Sequence, residues 1–226
     1  MESVKTQSYP DIEWVVVDGL SNDRTLEIIK PNMAETDVLI SEKDSGIYNA
    51  MNKGISLASG DIIGFLNSDD TLASSRTIET IVQGFKKNDV KVIYGDLAFV
   101  NSAEETVRKW EFGIQRDFVT GWHPAHPTFY AKRECYEKLG GYNEALSLSA
   151  DFELMLRFLQ GKRVSAKYIS EILVHMRIGG ATTSSLGNMW KGFLQTRKAF
   201  LLNKMKYPLL YPLYRYLPKL KSWITK

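Results

Sequence analysis

Between residues 43 and 70 the pattern of apolar positions changes from helical to strand-like. The apolar and small side chains that recur at helical spacing are Ile47, Ala50, Met51, Gly54, Ile55 and Ala58. This spacing predicts an amphipathic helix over residues 45–59, opened by a cap at Asp44 and Ser45. After a turn, residues 61–66 read DIIGFL, a short apolar run typical of a strand buried on both faces of a parallel sheet.

Strand-like and helical segments also alternate along the rest of the chain. The predicted strands cover residues 12–17, 90–94 and 168–176, and the predicted helices cover residues 71–88, 133–141, 186–203 and a segment that opens near residue 150. Residues 101–117 are polar and mixed, which predicts a hairpin or a mobile loop. The alternation up to residue 95 predicts an α/β fold with a doubly wound half-sheet.

The residues that follow the predicted strand 61–66 are candidates for chemistry. They read Asn67-Ser68-Asp69-Asp70. A carboxylate cluster is costly to desolvate unless a positive group lies beside it, and ligands of open α/β sheets bind at the carboxyl ends of strands. Oxygen ligands suit Mg²⁺ or Mn²⁺, so we expect a divalent cation at Asp69 and Asp70.

Composition limits the alternatives. The 226 residues suffice for one domain, or one domain with an appendage. The lone cysteine, Cys135, excludes an internal disulfide and is expected to be a small packing residue. No apolar run approaches the roughly 20 residues that span a bilayer, and no signal peptide is evident at the N-terminus. We therefore expect a cytoplasmic protein.

The net charge of +3 hides an asymmetry. Residues 172–226 contain ten Lys and Arg but no Asp or Glu, so the rest of the chain carries −7. From residue 204 onward, tyrosines and Trp223 alternate with the cations, which suits the headgroup region of a membrane. A solvated or self-packed tail is the simpler alternative. Nucleic acid is not expected as a partner, because no RNA- or DNA-binding module accompanies the charge.

Three further motifs have two interpretations each. His123 and His126 are separated by prolines and have no third soft ligand nearby, so a zinc site is not expected and a hydrogen bond within the turn is the simple alternative. Asp151 lies in the first turn of a predicted helix, where the helix dipole alone favours an acid. Arg177 precedes a Gly-Gly loop that either binds phosphate or is only a turn.

Four stretches resemble family 2 glycosyltransferases with the GT-A fold, in particular bacterial polysaccharide-biosynthesis enzymes. The first is residues 41–70, which contain SEKDSGIYNAMNKGI and GDIIGFLNSDD; the others are YPDIEWVVVDGLSNDRT at 9–25, GYNEALSLSADFELMLR at 141–157, and MRIGG at 176–180. The resemblance implies a mostly parallel GT-A sheet flanked by helices over residues 1–185. Residues 186–226 are then a basic, helical C-terminal appendage.

The resemblance also implies roles for individual residues. Asp151 is expected to deprotonate the acceptor hydroxyl, with Glu153 as the fallback. The residues expected to bind the nucleotide-sugar are Asp18, Asp44, Asn52, Asn67 and Arg177. Asp69 and Asp70 are expected to bind the metal, and His123 or His126 to touch the diphosphate or the acceptor. Asn67 replaces the first aspartate of the commoner DxD motif, which removes one charge but keeps an oxygen ligand.

The implied activity is inverting transfer of a sugar from a nucleotide-diphosphate donor to a glycan or polyprenyl-diphosphate-linked acceptor. The implied place is the inner face of the cytoplasmic membrane, with the basic tail as a peripheral contact. Family members normally begin with one more strand, some 20 residues upstream, which forms part of the nucleotide pocket. Its absence leaves two expectations open: a fragment of a longer enzyme, or a catalytically impaired module that binds nucleotide-sugar or a partner. A metal-dependent phosphotransferase is a further, weaker alternative.

Overall fold

A computed structural model describes residues 1–178 and 186–212. Its strands are β1 (Val15–Asp18), β2 (Val38–Ser41), β3 (Ile62–Ile63), β4 (Thr71–Leu72), β5 (Val92–Val100), β6 (Thr106–Trp110), β7 (Tyr130–Lys132) and β8 (Ala166–Arg177). Its α-helices are α1 (Glu2–Lys5), α2 (Thr25–Ile29), α3 (Ile47–Leu57), α4 (Thr77–Lys87), α5 (Arg133–Leu139), α6 (Ala150–Met155) and α7 (Leu186–Leu202). A π-helical turn, Leu156–Gly161, continues α6. None of the helices in the described part of the chain is long and apolar enough to cross a membrane.

The strands form two sheets that mix parallel and antiparallel pairs. β1 and β2 pair in parallel as a small sheet of their own. In the larger sheet the order is β3-β7-β5-β8-β4, with β6 paired to β5, and β5–β8 is parallel while the other pairs are antiparallel. The α/β class is as predicted. The expectation of mostly parallel pairing is corrected to a mixed sheet, because the short strands β3, β4, β6 and β7 pair antiparallel with their neighbours.

The predicted strand at residues 61–66 is much shorter than expected. β3 holds only Ile62 and Ile63 and lies at the antiparallel edge of the larger sheet. Gly64 follows directly, and a Cβ there would stand 2.1 Å from the ring of Tyr130 on β7. The chain can therefore pass Tyr130 only because residue 64 has no side chain. Residues 64–70 then leave the sheet and form the loop that carries the Asn67–Asp70 cluster.

Other helix and strand boundaries differ from the predicted ones for local reasons. The helix predicted from residue 71 begins at Thr77, because Thr71 and Leu72 first pair with β8. β5 runs on to Val100 and forms a hairpin with β6, which decides between the two interpretations of residues 101–117 in favour of the hairpin. Helix α3 begins after Gly46 without a side-chain cap, and the Asp44 carboxylate instead accepts a hydrogen bond from the Gly46 N–H at 2.9 Å.

The main core is one cluster that joins the larger sheet with residues of helices α4, α5, α6 and α7. Phe152 of α6 and Phe200 of α7 are fully buried, with ring centroids 5.8 Å apart. Tyr211, beyond the end of α7, is also buried and packs on both rings. The first part of the predicted appendage therefore shares the core of residues 1–178. The boundary at residue 185 stays a prediction.

The close approach of Gly64 to Tyr130 makes a stability prediction. We expect Gly64→Ala to lower the free energy of unfolding by about 1 to 3 kcal/mol, because the new methyl group overlaps a buried aromatic ring. Gly60→Ala is the matched control, since the nearest atom to its Cβ lies at 3.7 Å, an ordinary contact. Urea titration followed by circular dichroism measures both. Equal unfolding midpoints for the two variants would contradict the steric explanation.

Candidate functional site

Asp18 ends β1 opposite Ser41, the last residue of β2. Its carboxylate is buried and accepts hydrogen bonds from the Ser21 backbone N–H at 3.1 Å and from the Ser41 hydroxyl at 2.6 Å. Hydrogen bonds from Ser21 and then from Ser41 lower the pKa of Asp18 below its usual value, despite its burial. An ionised acceptor is thus fixed at the carboxyl ends of two parallel strands.

Asp44 lies next to this strand end. A Cβ at residue 19 would come within 2.5 Å of Asp44 Oδ2, so the absence of a side chain at Gly19 lets the two segments meet. The structure thus brings together the segments that carry Asp18 and Asp44, the two carboxylates predicted to line the nucleoside pocket.

Asn52 has a different environment from the one predicted. Its Oδ1 accepts a hydrogen bond from the Tyr142 N–H at 2.8 Å, and its Nδ2 donates to the Tyr142 carbonyl at 2.9 Å and to Glu144 Oε1 at 2.8 Å. The amide therefore fastens helix α3 to the segment before α6. In this arrangement its groups are engaged by protein, and a contact with nucleotide stays a prediction.

The carboxylates of the NSDD cluster differ sharply in their surroundings. Asp69 is exposed, whereas only 3% of the surface of Asp70 is accessible. Asn67 Nδ2 donates to Asp70 Oδ2 at 2.8 Å, while the buried Asp70 Oδ1 has no hydrogen-bond partner among the described residues. Burial, and to a smaller extent the charge of Asp69, raise the pKa of Asp70 to about 6. Among the described residues no positive side chain lowers the pKa of Asp70, so the charge of this buried carboxylate is not compensated by them.

Arg177 reaches the same place from the end of β8. β8 pairs with β4, the strand that directly follows Asp70, with His175 opposite Thr71. The backbone N–H of Arg177 opposes the effect of burial on the pKa of Asp70, so the two residues are close. The remainder of the predicted phosphate loop, residues 179–184, lies outside the described residues.

The donor atoms at Asp69 and Asp70 fit a divalent cation that is shared with a ligand. Within residues 1–178 and 186–212, no cluster of three or more His, Cys, Asp or Glu could hold a metal by itself. Mg²⁺ commonly uses only one or two carboxylates and takes its other ligands from phosphate and water. The unpartnered Oδ1 of Asp70 and the carbonyl oxygen of the Asn67 side chain are suitable ligands of this kind.

Asp151 lies in the first turn of α6 and is partly buried. Its Oδ1 accepts a hydrogen bond from the Tyr48 hydroxyl at 2.9 Å. Burial, and then the nearby Asp151 charge, raise the pKa of Tyr48 far above its usual value, so the hydroxyl remains a donor. Tyr48 stacks on Tyr142, with ring centroids 5.6 Å apart.

His126 joins this cluster through Tyr142. A hydrogen bond of 2.6 Å connects His126 Nε2 and the Tyr142 hydroxyl. Burial lowers the pKa of His126, with Asp151 acting in the opposite direction, which favours a neutral ring that accepts the bond. Phe65 packs on both His126 and Tyr142 at centroid distances of 5.7 and 5.4 Å. The loop that leads to Asn67 is thereby held against the surroundings of Asp151.

Tyr48 and Tyr142 were missed as site residues by the sequence reasoning. Tyr48 belongs to the GIY stretch of the first motif, and Tyr142 to the GYNE stretch of the third, so the signal was present. Nothing in the local patterns said that these tyrosines, 94 positions apart, would stack beside Asp151.

Glu153 and His123, two residues predicted to lie on the acceptor side, both contact other groups of the protein. Glu153, the fallback for Asp151, is buried; its carboxylate binds Arg157 Nε at 3.0 Å and accepts from Asn203 Nδ2 at 2.9 Å. The carboxylate thus holds α6 and α7 together in this structure, and a role as the base stays a prediction. His123 Nδ1 lies 2.9 Å from the Pro124 carbonyl and its ring packs on Phe152, so a backbone contact in the turn is present and a role towards the acceptor stays a prediction.

Comparisons with known proteins agree on the family. The model of glycosyl transferase family 2 matches residues 1–148. The chain is 25% identical over 191 residues to a PGL/p-HBAD biosynthesis glycosyltransferase of Mycobacterium bovis, covering 82% of this chain and 73% of that one. It is 28% identical over 198 residues to the O-antigen biosynthesis protein RfbC of Myxococcus xanthus, covering 83% of this chain and 15% of that one.

Solved structures show the same fold. Residues 1–349 of Staphylococcus aureus TarS superpose with a TM-score of 0.69 at 16% identity, covering 96% of this chain and 66% of that one. The same protein in complex with UDP-GlcNAc gives a TM-score of 0.70 at 15% identity, covering 94% and 64%. The chain thus spans slightly less than two thirds of that TarS segment.

The unusual pKa of Asp70 predicts a pH dependence of stability. Because the folded-state pKa of about 6 lies above the ordinary 3.8, the folded protein holds this proton more tightly than the unfolded chain. The resulting stability is complete below pH 3.8 and is lost as the pH rises to 6. As the pH rises from 3.8 to 6 in metal-free buffer, we therefore expect the free energy of unfolding of wild type to fall by about 2 to 3 kcal/mol relative to that of Asp70→Asn.

Urea titrations at several pH values measure this difference. Asp11→Asn, which changes an exposed carboxylate, is the matched control and should follow wild type. A difference between wild type and Asp70→Asn that does not vary with pH would show that Asp70 ionises normally.

Proposed function

Because the chain belongs to glycosyltransferase family 2, whose model matches residues 1–148, we propose that it is an inverting enzyme that uses a nucleotide-diphosphate sugar. The proposed acceptor is a hydroxyl of a glycan or polyprenyl-diphosphate-linked glycan in the synthesis of cell-surface polysaccharide or glycolipid. The observation that carries this proposal is the packing of Phe65, because it joins the loop of Asn67–Asp70 to the cluster around Asp151.

The donor half of the site is proposed at the strand ends. Asp18 and Asp44 accept hydrogen bonds from the nucleoside, and the side chain of Arg177 with nearby backbone N–H groups contacts the diphosphate. TarS has been solved in complex with UDP and with UDP-GlcNAc, which supports a nucleotide-sugar donor for this fold. The proposal extends to the class of donor and not to its base or its sugar.

Asp69 and Asp70, with Asn67 beside them, are proposed to hold Mg²⁺ or Mn²⁺. The cation would act as a Lewis acid on the diphosphate. Asn67 orients the Asp70 carboxylate by its 2.8 Å hydrogen bond and leaves Oδ1 open. Burial of its own negative charge raises the pKa of Asp70, and a cation at this position would compensate that charge.

Asp151 is proposed as the general base. The acceptor hydroxyl gives its proton to the Asp151 carboxylate while its oxygen bonds to the anomeric carbon, and the bond from that carbon to the diphosphate breaks on the opposite face. Tyr48 fixes Oδ1 through its hydrogen bond and so leaves Oδ2 for the proton. Tyr48 and Phe65, which both pack on the buried Tyr142, are partly exposed and offer rings against which a sugar can stack.

The base assignment predicts the behaviour of Asp151→Asn. We expect release of nucleoside diphosphate, with Mn²⁺ and a panel of UDP-, GDP- and dTDP-sugars, to fall about 10²- to 10⁴-fold while donor binding is retained. Asp89→Asn, which changes an exposed carboxylate, should turn over like wild type. Wild-type activity in Asp151→Asn would contradict the assignment. Donor binding by wild type without any metal-dependent release would favour the non-catalytic binding module instead.

The metal assignment predicts a second result. Asp70→Asn should weaken Mn²⁺ binding in the presence of nucleoside diphosphate, because it removes a buried negative ligand with a vacant oxygen. Electron paramagnetic resonance of free Mn²⁺ measures the affinity, with Asp89→Asn as the control. If the two variants bind Mn²⁺ equally, Asp70 is not a metal ligand.

We also propose that the enzyme works at the inner face of the cytoplasmic membrane, where a lipid-linked acceptor would be presented. The basic, aromatic C-terminal part of the chain supports a peripheral contact.

A further inference from the structure

The outer side of α7 carries large apolar residues that are largely exposed. Trp190, Leu194 and Leu201 are 65%, 46% and 59% exposed, at spacings of four and seven residues. These spacings place them along one side of the helix. Arg197, Lys198 and Lys191 are exposed among them. We call this row of six residues the outer α7 face.

The turn after α7 extends the same surface. Leu209 and Leu210 are 95% and 53% exposed, and Lys204 and Lys206 are exposed beside them. Tyr207 and Tyr211, which flank these two leucines in the chain, pack on Phe200 in the core, with ring-centroid distances of 5.6 and 5.2 Å. Because these tyrosines anchor the turn, the exposed leucines are held outward by the fold.

The charge of this region has a single sign. Residues 186–212 contain five Lys and Arg and no Asp or Glu. Apolar side chains, a tryptophan and cations on one face are the combination that binds the interface of an anionic bilayer. A second copy of the chain would bring two such positive faces together, which is electrostatically unfavourable, and nucleic acid would not use the exposed leucines.

We propose that the outer α7 face and the 204–210 turn form a docking surface for an anionic lipid membrane, with α7 lying in the plane of the interface. The aromatic tail beyond residue 212 is not needed to define this surface, since all its members lie within the described residues. The proposal gives the peripheral contact of the proposed function a defined surface, and in that respect it rests on that function.

This surface is connected to the segment that precedes Asp151. Gln195 accepts a hydrogen bond from the Leu148 N–H at 2.8 Å and donates to Ser147 Oγ at 3.1 Å. The Ser149 hydroxyl donates to the Gly192 carbonyl at 3.3 Å. Because α7 is bonded on its inner side to residues 147–149, docking its outer side would set the position of Asp151 relative to the membrane. A lipid-linked acceptor would then meet the base at a fixed height.

The test is sedimentation with large vesicles of phosphatidylcholine alone or mixed with phosphatidylglycerol, using the whole chain. One variant, Leu194→Ser with Leu201→Ser, removes apolar contact; a second, Arg197→Gln with Lys198→Gln, removes charge. The matched controls are Ile114→Ser, an exposed apolar residue elsewhere, and Lys87→Gln with Lys162→Gln, exposed cations elsewhere.

We expect wild type to bind the anionic vesicles and both control variants to bind equally well. Each cation near an anionic surface contributes roughly fivefold to partitioning, so Arg197→Gln with Lys198→Gln should weaken binding on the order of tenfold or more. The leucine variant should weaken it to a similar extent. Vesicles should also protect Trp190 from an aqueous fluorescence quencher. Because the chain has other tryptophans, the contribution of Trp190 is taken as the difference in quenching between wild type and Trp190→Phe.

Three results would overturn the proposal: equal pelleting with and without anionic lipid, unchanged binding by both face variants, or a stable dimer that only the leucine variant dissociates. The test is independent of turnover. Donor hydrolysis in solution, without vesicles, reports on the proposed activity, so wild type that hydrolyses donor but does not bind vesicles rejects the docking surface alone. Vesicle binding without any hydrolysis rejects the activity alone.

Discussion

The guanidinium group of Arg157 is the connection on which the surroundings of Asp151 depend. It pairs with the buried Glu153 at 3.0 Å and donates to the carbonyl oxygens of Leu139, Gly140 and Gly141. Glu153 in turn accepts from Asn203 after α7. A single cation thus joins the end of α5, helix α6 and the end of α7. A buried ion pair stabilises a fold only when its remaining hydrogen-bonding groups are satisfied. Here the remaining N–H groups of Arg157 donate to backbone carbonyls.

The surroundings of Asp151 are built from segments that are distant in the chain. Asn52 fastens α3 to Tyr142 and Glu144, directly after the carbonyls that Arg157 binds. Tyr48, one turn earlier on α3, then reaches Asp151. The position of the proposed base therefore depends on two polar ties that are not part of any reaction step, one at Arg157 and one at Asn52.

The carboxylates at strand ends could be expected from local pattern, whereas the surroundings of Asp151 could not. Because strands and their turns are local features, Asp18, Asp69 and Asp70 could each be expected after a predicted strand, and the resemblance supplied the family. The structure puts Asp69 and Asp70 on a loop that leaves the sheet after β3. The partners of Asp151 and the engaged state of Glu153 depend on contacts between residues 50 to 103 positions apart, which no local pattern encodes. The shortening of β3 depends on one contact between Gly64 and Tyr130, and the mixed strand directions depend on pairings that hydrophobic periodicity cannot specify.

The surroundings of Asp70 show why a binding site here costs stability. A buried carboxylate with one unpartnered oxygen is unfavourable in the isolated protein, as its raised pKa reflects. An apolar residue at position 70 would remove that cost but could bind no cation. The carboxylate becomes favourable only when a positive group arrives, so the free energy that the fold loses at Asp70 becomes available for binding. In the same way, the leucines held outward on α7 are unfavourable in water and favourable only against an apolar partner. Both features are local departures from stable packing, and each would be compensated by the ligand proposed for it: a cation at Asp70 and a lipid surface beside α7.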